Sequence, residues 1–124
     1  MDPIQSYRDL RVWQMGMQLA KDCCVLTRQF PREELFGLIS QVRRSAASIP
    51  ANVAEGYGRE NAREYRRFLR IAQGSRKELE THLLLSQEVG ITEESSIGPL
   101  LDTSDALGRM LRGLIRSLHG PETP

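Results

Sequence analysis

From Asp9 to Arg28, apolar residues recur at Leu10, Trp13, Met17, Ala20 and Cys24, in steps of three and four that predict an amphipathic helix. A second apolar set, Val12, Met15, Leu19, Cys23, Leu26 and Phe30, runs beside the first. At 100° per residue the two sets together cover about 200° of the helix circumference. The outer helix of a lone bundle needs little more than half of that. Either two sides of this helix are buried within one chain, or a second chain covers one of them. In so small a protein the expectation is a second chain, meeting Val12, Met15, Leu19 and Cys23.

Phe30 and Pro31 interrupt the pattern, and Glu33 and Glu34 put acid in the first turn of the next helix, where the macrodipole favours it. The second segment reads Leu35, Ile39, Val42, Ala46, Ile49, Val53 and Gly56, alternating steps of four and three straight through Pro50. A break would have been free to reset the phase. The unbroken register predicts one helix kinked at Pro50, where the ring removes an amide donor and presses on the carbonyl of Ala46. Ala47, Ala51 and Ala54 form a ridge of small side chains beside that stripe. Alanine favours helix in any case; the ridge also lets a second backbone approach, which adds Ala47 and Ala51 to the expected interface.

Gly56-Tyr57-Gly58 closes this helix, and Asn61-Ala-Arg-Glu64 has the form of a capping box opening a third. So short a joint makes the two an antiparallel hairpin. The third helix offers Tyr65, Phe68, Leu69, Ala72, Leu79 and Leu83 to a core and ends near Val89-Gly90. Thr92 is placed to cap a fourth, whose apolar face is Ile97, Leu100, Leu101, Leu107, Leu111, Leu114, Ile115 and Leu118. No strand pattern competes. The expectation is an all-α, antiparallel, up-down-up-down four-helix bundle. It forms one domain over residues 1–124, with an ordered core of about 6–118 and a frayed tail from Gly120 to Pro124.

Composition changes this picture little. Seventeen Lys and Arg against sixteen Asp and Glu leave a net charge of +1, so only a local cluster could argue for nucleic acid. No apolar run is long enough to span a bilayer or to resemble a signal peptide, which points to the cytoplasm and away from a membrane. Cys23 and Cys24 are adjacent, a poor geometry for a disulfide and too few ligands for a metal site, so both are expected reduced.

Candidate chemistry is sparse. Gly56-Tyr-Gly58 follows a helix rather than a strand and lacks the further glycines or Gly-Lys-Ser/Thr of a phosphate loop. Bundles often house di-iron sites through Glu-x-x-His, but Leu79 stands three residues before His82 and Arg116 three before His119. Glu78 and His82 are one turn apart and supply at most two ligands. No nucleophile–base pair is evident. Neither catalytic residues, nor a metal, nor a cofactor is expected.

One charge pattern carries weight. Arg59, Arg63, Arg66, Arg70 and Lys77 advance by four, three, four and seven, within about 60° of one another on a helix. From Arg59 to Lys77 there are seven basic residues and two acidic ones, a local balance of +5. Arg109, Arg112 and Arg116 make a shorter stripe on the fourth helix. Such stripes suit nucleic-acid phosphates, gripping them without reading sequence. The competing reading is a solvated face whose arginines pair with acids of a neighbouring subunit.

Several stretches together resemble a known family. Tyr7-Arg-Asp-Leu-Arg-Val-Trp-Gln14 is similar to its opening motif. Gln41-Val-Arg-Arg44, followed by Ser48-Ile-Pro-Ala-Asn-Val-Ala-Glu-Gly-Tyr-Gly-Arg59, is similar to its signature. Phe68-Leu-Arg-Ile-Ala-Gln-Gly-Ser75 with Glu78-Leu-Glu-Thr-His-Leu83 resembles its third helix, and Leu107-Gly-Arg-Met-Leu-Arg-Gly-Leu114 its fourth. The family is the four-helix-bundle proteins also called 23S rRNA intervening-sequence proteins, distantly related to the accessory variability proteins of diversity-generating retroelements. The resemblance implies a ring-like homopentamer. It also implies, from the retroelement branch, a partner that is nucleic acid or a nucleic-acid enzyme, and it supplies no catalytic residue. The resulting expectation is a non-enzymatic homo-oligomer, with RNA or another macromolecule on its basic face. The alternative is an assembly or scaffold protein with no nucleic-acid partner.

Overall fold

The computed structural model describes residues 3–119. Four helices, α1 (Arg11–Thr27), α2 (Ser40–Tyr57), α3 (Ala62–Glu88) and α4 (Glu94–Ser117), make up the fold, and there is no strand among the described residues. The expected helical class is the observed one. α1 packs on α2 and α4, and α3 packs on the same two helices from the other side. Across the α2/α3 seam Arg44 meets Glu78, Ser48 meets Ser75, and Gly56 abuts Phe68, so the two helices run in opposite directions. Across α3/α4 Arg66 reaches Leu118, Gln73 reaches Gly108, and Arg76 reaches Ser104, again in opposite directions. The core between them is aliphatic, with Leu19, Ile49, Leu69, Leu79, Leu83, Ile97, Leu107 and Leu111 fully buried.

Helix entrances differ from the sequence reading in instructive ways. The reciprocal capping box forms at Ser6 and Asp9, on a single 3-10 turn (Tyr7–Asp9) ahead of α1. At Asn61 only half of the expected box exists. Its side chain accepts from the Glu64 N–H at 2.8 Å, while the Glu64 carboxylate turns to Arg67 at 3.0 Å. α4 begins one residue later than expected, with Glu93 rather than Thr92 at the N-cap and no side-chain bond there. The end of α3 is a Schellman turn: Gly90 at φ 79° lets its own N–H reach Gln87 and the Ile91 N–H reach Ser86.

The second helix was expected to run unbroken from a first turn at Glu33 and Glu34, with Leu35 opening its buried stripe, and it does not. A 3-10 turn (Arg32–Glu34) and a π-turn (Leu35–Ile39) precede α2. A π-turn adds a residue to the turn, so the four-and-three register breaks upstream of Ile39. Ile39, Val42, Ala46, Ile49, Val53 and Gly56 are buried as expected, but Leu35 lies outside the core, 48% exposed. Pro50 sits inside α2 and is buried, with the backbone of α1 at Gly16 beside its ring. The segment from Ser48 to Asn52 is helical throughout. Gly56 serves close packing: a Cβ there would stand 2.8 Å from that of Phe68. The predicted tail from Gly120 lies outside the described residues.

Candidate nucleic-acid and assembly surfaces

The five residues of the expected basic stripe divide into three kinds. Arg63 and Arg70 are exposed and have no carboxylate within 4 Å among the described residues. Arg59 pairs with Glu55 at 2.9 Å while its guanidinium stacks 4.8 Å from the centre of the Phe68 ring, and Lys77 lies 3.5 Å from Glu80. Arg66 has a structural task, donating from Nη1 to the carbonyl of Leu118 at 2.7 Å and so capping the end of α4. Arg70 comes within 3.5 Å of His119. The stripe of α3 therefore meets the C-terminal end of α4, where Arg112 and Arg116 are also exposed and without an acidic partner among the described residues. Arg109 differs, paired with Asp105 at 2.6 Å.

Arg76 is a residue whose role the charge pattern concealed. It counted toward the +5 balance, yet it is only 4% exposed. Its Nη1 donates to Glu80 at 2.7 Å and to Ser104 at 3.3 Å, its Nε donates to Gln73 at 2.9 Å, and Ser104 donates in turn to Glu80 at 2.7 Å. Gly108 leaves room for the guanidinium, since a Cβ there would overlap it. The readable signal was small: a glycine and a serine one turn apart on the buried face of α4, where aliphatic residues were due.

On the assembly side, the assignment of Val12, Leu19 and Cys23 to an interface is corrected. Leu19 and Cys23 are fully buried and Val12 nearly so, all within the core of the single chain, and Met15 packs partly buried against that core. The stripe facing outward is the other one. Trp13, Met17, Ala20 and Cys24, joined by Tyr7, Pro50 and the ridge of Ala47, Ala51 and Ala54, line a groove of about 440 Å³ between α1 and α2. Ala47 and Ala51 are exposed within it. The broad apolar coverage of α1 thus has two halves, one against the core and one in this groove. Periodicity alone could not rank them, because both sets repeat with the same helical step.

The remaining ionisable groups are modest. Burial, with smaller contributions from Cys24 and Asp22, pushes the Cys23 thiol up to about 12, and both cysteines are free. A hydrogen bond from Arg44 holds Glu78 below the usual carboxylate range, and His82 Nε2 lies 3.7 Å from the same carboxylate. No helix among the described residues is long and apolar enough to cross a membrane.

One aliphatic core, a basic flank on α3 and α4, and an apolar groove on α1 and α2 define a four-helix-bundle protein whose distinctive features lie on its surface. The chain belongs to the 23S rRNA-intervening sequence protein family, whose model matches residues 8–113. Its fold is also similar to a crystal structure of a protein of unknown function from the S23 ribosomal protein family of Bacteroides thetaiotaomicron. That likeness has a TM-score of 0.78 at 22% identity and covers 84% of this chain and 97% of the other. No curated protein matches.

Proposed function

We propose that this protein is a non-enzymatic, cytoplasmic homo-oligomer that binds structured RNA by its phosphates, through the basic flank of α3 and α4. The observation that carries the reading is local to the neighbouring helices α3 and α4: Arg63, Arg70, Arg112 and Arg116 are exposed there and have no carboxylate partner among the described residues. Cations left unpaired on adjacent helices present a surface on which a phosphate backbone replaces counterions, with affinity that falls as salt rises. The family's name, which refers to 23S rRNA, agrees with RNA as the partner. Self-association is supported by the apolar groove, and five copies is the number the family resemblance implies.

The test is RNA binding across a salt series. Wild type binds, and Arg63→Ala/Arg70→Ala lowers affinity and reduces the salt slope by about 2, one unit per lost phosphate contact. Arg66 is left intact because it caps α4. The absence of binding at low salt would leave the scaffold reading, in which Glu55 and Glu80, already paired with Arg59 and Lys77, begin a charge network that neighbouring subunits complete.

A further inference from the structure

We propose that the turn carrying Phe36 is a plug that docks in the α1/α2 groove of a second copy of this chain, an inference that rests on the self-association proposed above. Phe36 is 91% exposed, far more than any other large apolar side chain among the described residues, and Leu35 beside it is 48% exposed. An isolated phenylalanine in water is unfavourable by the transfer free energy of its ring, and burial of an aromatic side chain removes roughly 150–250 Å² from water. The backbone holds this projection. Gly37, at φ −109° and ψ −113°, departs from helical geometry. Glu34 fixes the turn by accepting from the Leu38 N–H at 3.2 Å. A Cβ on Gly37 would stand 2.9 Å from that same carboxylate oxygen.

The groove has the complementary form. Its floor is the small-residue ridge of Ala47, Ala51 and Ala54, and its wall is Trp13 and Met17, the latter 45% exposed. The charges complement one another as well. Glu33 beside the plug is exposed, and Lys21, which lines the groove, is exposed; neither has an oppositely charged partner within 4 Å among the described residues. Plug and groove are different surfaces of one chain, so two copies can engage reciprocally about a two-fold axis, or a series can engage head-to-tail and close into a ring when the rotation permits. A standard interface buries about 800 Å² per partner, so Phe36 is the anchor of a larger contact rather than the whole of it.

Two single variants and their mixture test this. Phe36→Ser removes the plug and keeps the groove; Ala51→Phe fills the groove and keeps the plug. Both positions are exposed, and circular dichroism establishes that each variant is folded. In sedimentation velocity, wild type runs above the 14.1 kDa monomer. Each variant alone is weakened at least about 30-fold in self-association, the loss expected of a central anchor. An equimolar mixture forms a one-to-one dimer, because a single competent plug and groove remain between them. Wild-type-like assembly of either variant alone would overturn the plug while leaving self-association intact, and so would two monomeric variants that fail to pair. A wild type that is monomeric at every concentration would remove the self-association reading itself. Cys24 supplies an independent readout, since it lines the groove while Cys23 is buried. Its alkylation slows as wild-type concentration rises and stays constant in Phe36→Ser; an unchanged wild-type rate across the assembly range overturns the proposal.

Discussion

Arg76 and Arg70 stand six residues apart on α3 and do opposite things. Arg76 is sealed under α4, with its guanidinium shared among Glu80, Ser104 and Gln73. Arg70 is exposed, and its guanidinium comes within 3.5 Å of His119. The two lie on different sides of one helix, so a charge count along the chain adds them together although their environments differ in dielectric and in partners. A basic stretch in a helical protein therefore has to be divided by face before it is read as a binding surface. Here burial removes Arg76 from the candidate surface and the bond to Leu118 engages Arg66, which leaves Arg63 and Arg70 on α3.

The largest expected effect comes from breaking the buried member. Arg76→Leu takes the guanidinium from the Glu80 carboxylate and costs about 3 kcal/mol, the low end for a broken buried pair because Ser104 still donates to Glu80 at 2.7 Å and Lys77 remains 3.5 Å from it. Urea unfolding measures it, and Arg76→Leu/Glu80→Leu recovers most of the loss if the pair is structural. Next is Gly108→Ala, whose added Cβ displaces a guanidinium already held on three sides. The expected cost is about 1–3 kcal/mol, where an exposed glycine-to-alanine change in a helix would stabilise.

A smaller effect sits on the α2/α3 seam. The Glu78 carboxyl is held below its ordinary value of 4.5, first by the hydrogen bond from Arg44. A depressed carboxyl contributes stability above its unfolded value and loses it as pH falls through the folded one. Stability from this pair is thus flat near neutrality and declines below about pH 4.5. Both side chains are more than a third exposed, so screening limits the contribution to about 0–1 kcal/mol. Urea midpoints at neutral and acid pH measure the decline, and Glu78→Gln removes that part of it. Smallest is Arg63→Ala/Arg70→Ala, which changes stability by no more than about 0.5 kcal/mol while weakening RNA binding. A large loss of stability there would erase the contrast with Arg76.

Much of the fold was legible along the chain, for a physical reason. The four helices, the buried stripe from Ile39 to Gly56 and the continuity through Pro50 follow from a 3.6-residue period that local sequence carries by itself. Leu35 escaped that logic because the π-turn is a backbone irregularity that apolar spacing does not encode. The stop at Gly90 was visible because a left-handed residue after a helix selects glycine. The candidate surfaces were legible only in part. Arg63, Arg66, Arg70 and Lys77 lie on α3 at helical spacing, whereas Arg59 stands before the helix begins, and which of the five are engaged depends on Glu55, Leu118 and Glu80.

The sequence by itself determined that this protein is helical, how many helices it has and which stripes are apolar, because those properties depend on neighbours three and four positions away. Only the tertiary structure decided which apolar stripe of α1 is core and which lines a groove. It likewise decided that Arg76 is buried and that Phe36 stands in solvent. Those outcomes depend on what other helices bring within a few ångströms: Gly108 opposite Arg76, Gly16 against Pro50, and, among the described residues, nothing that covers Phe36.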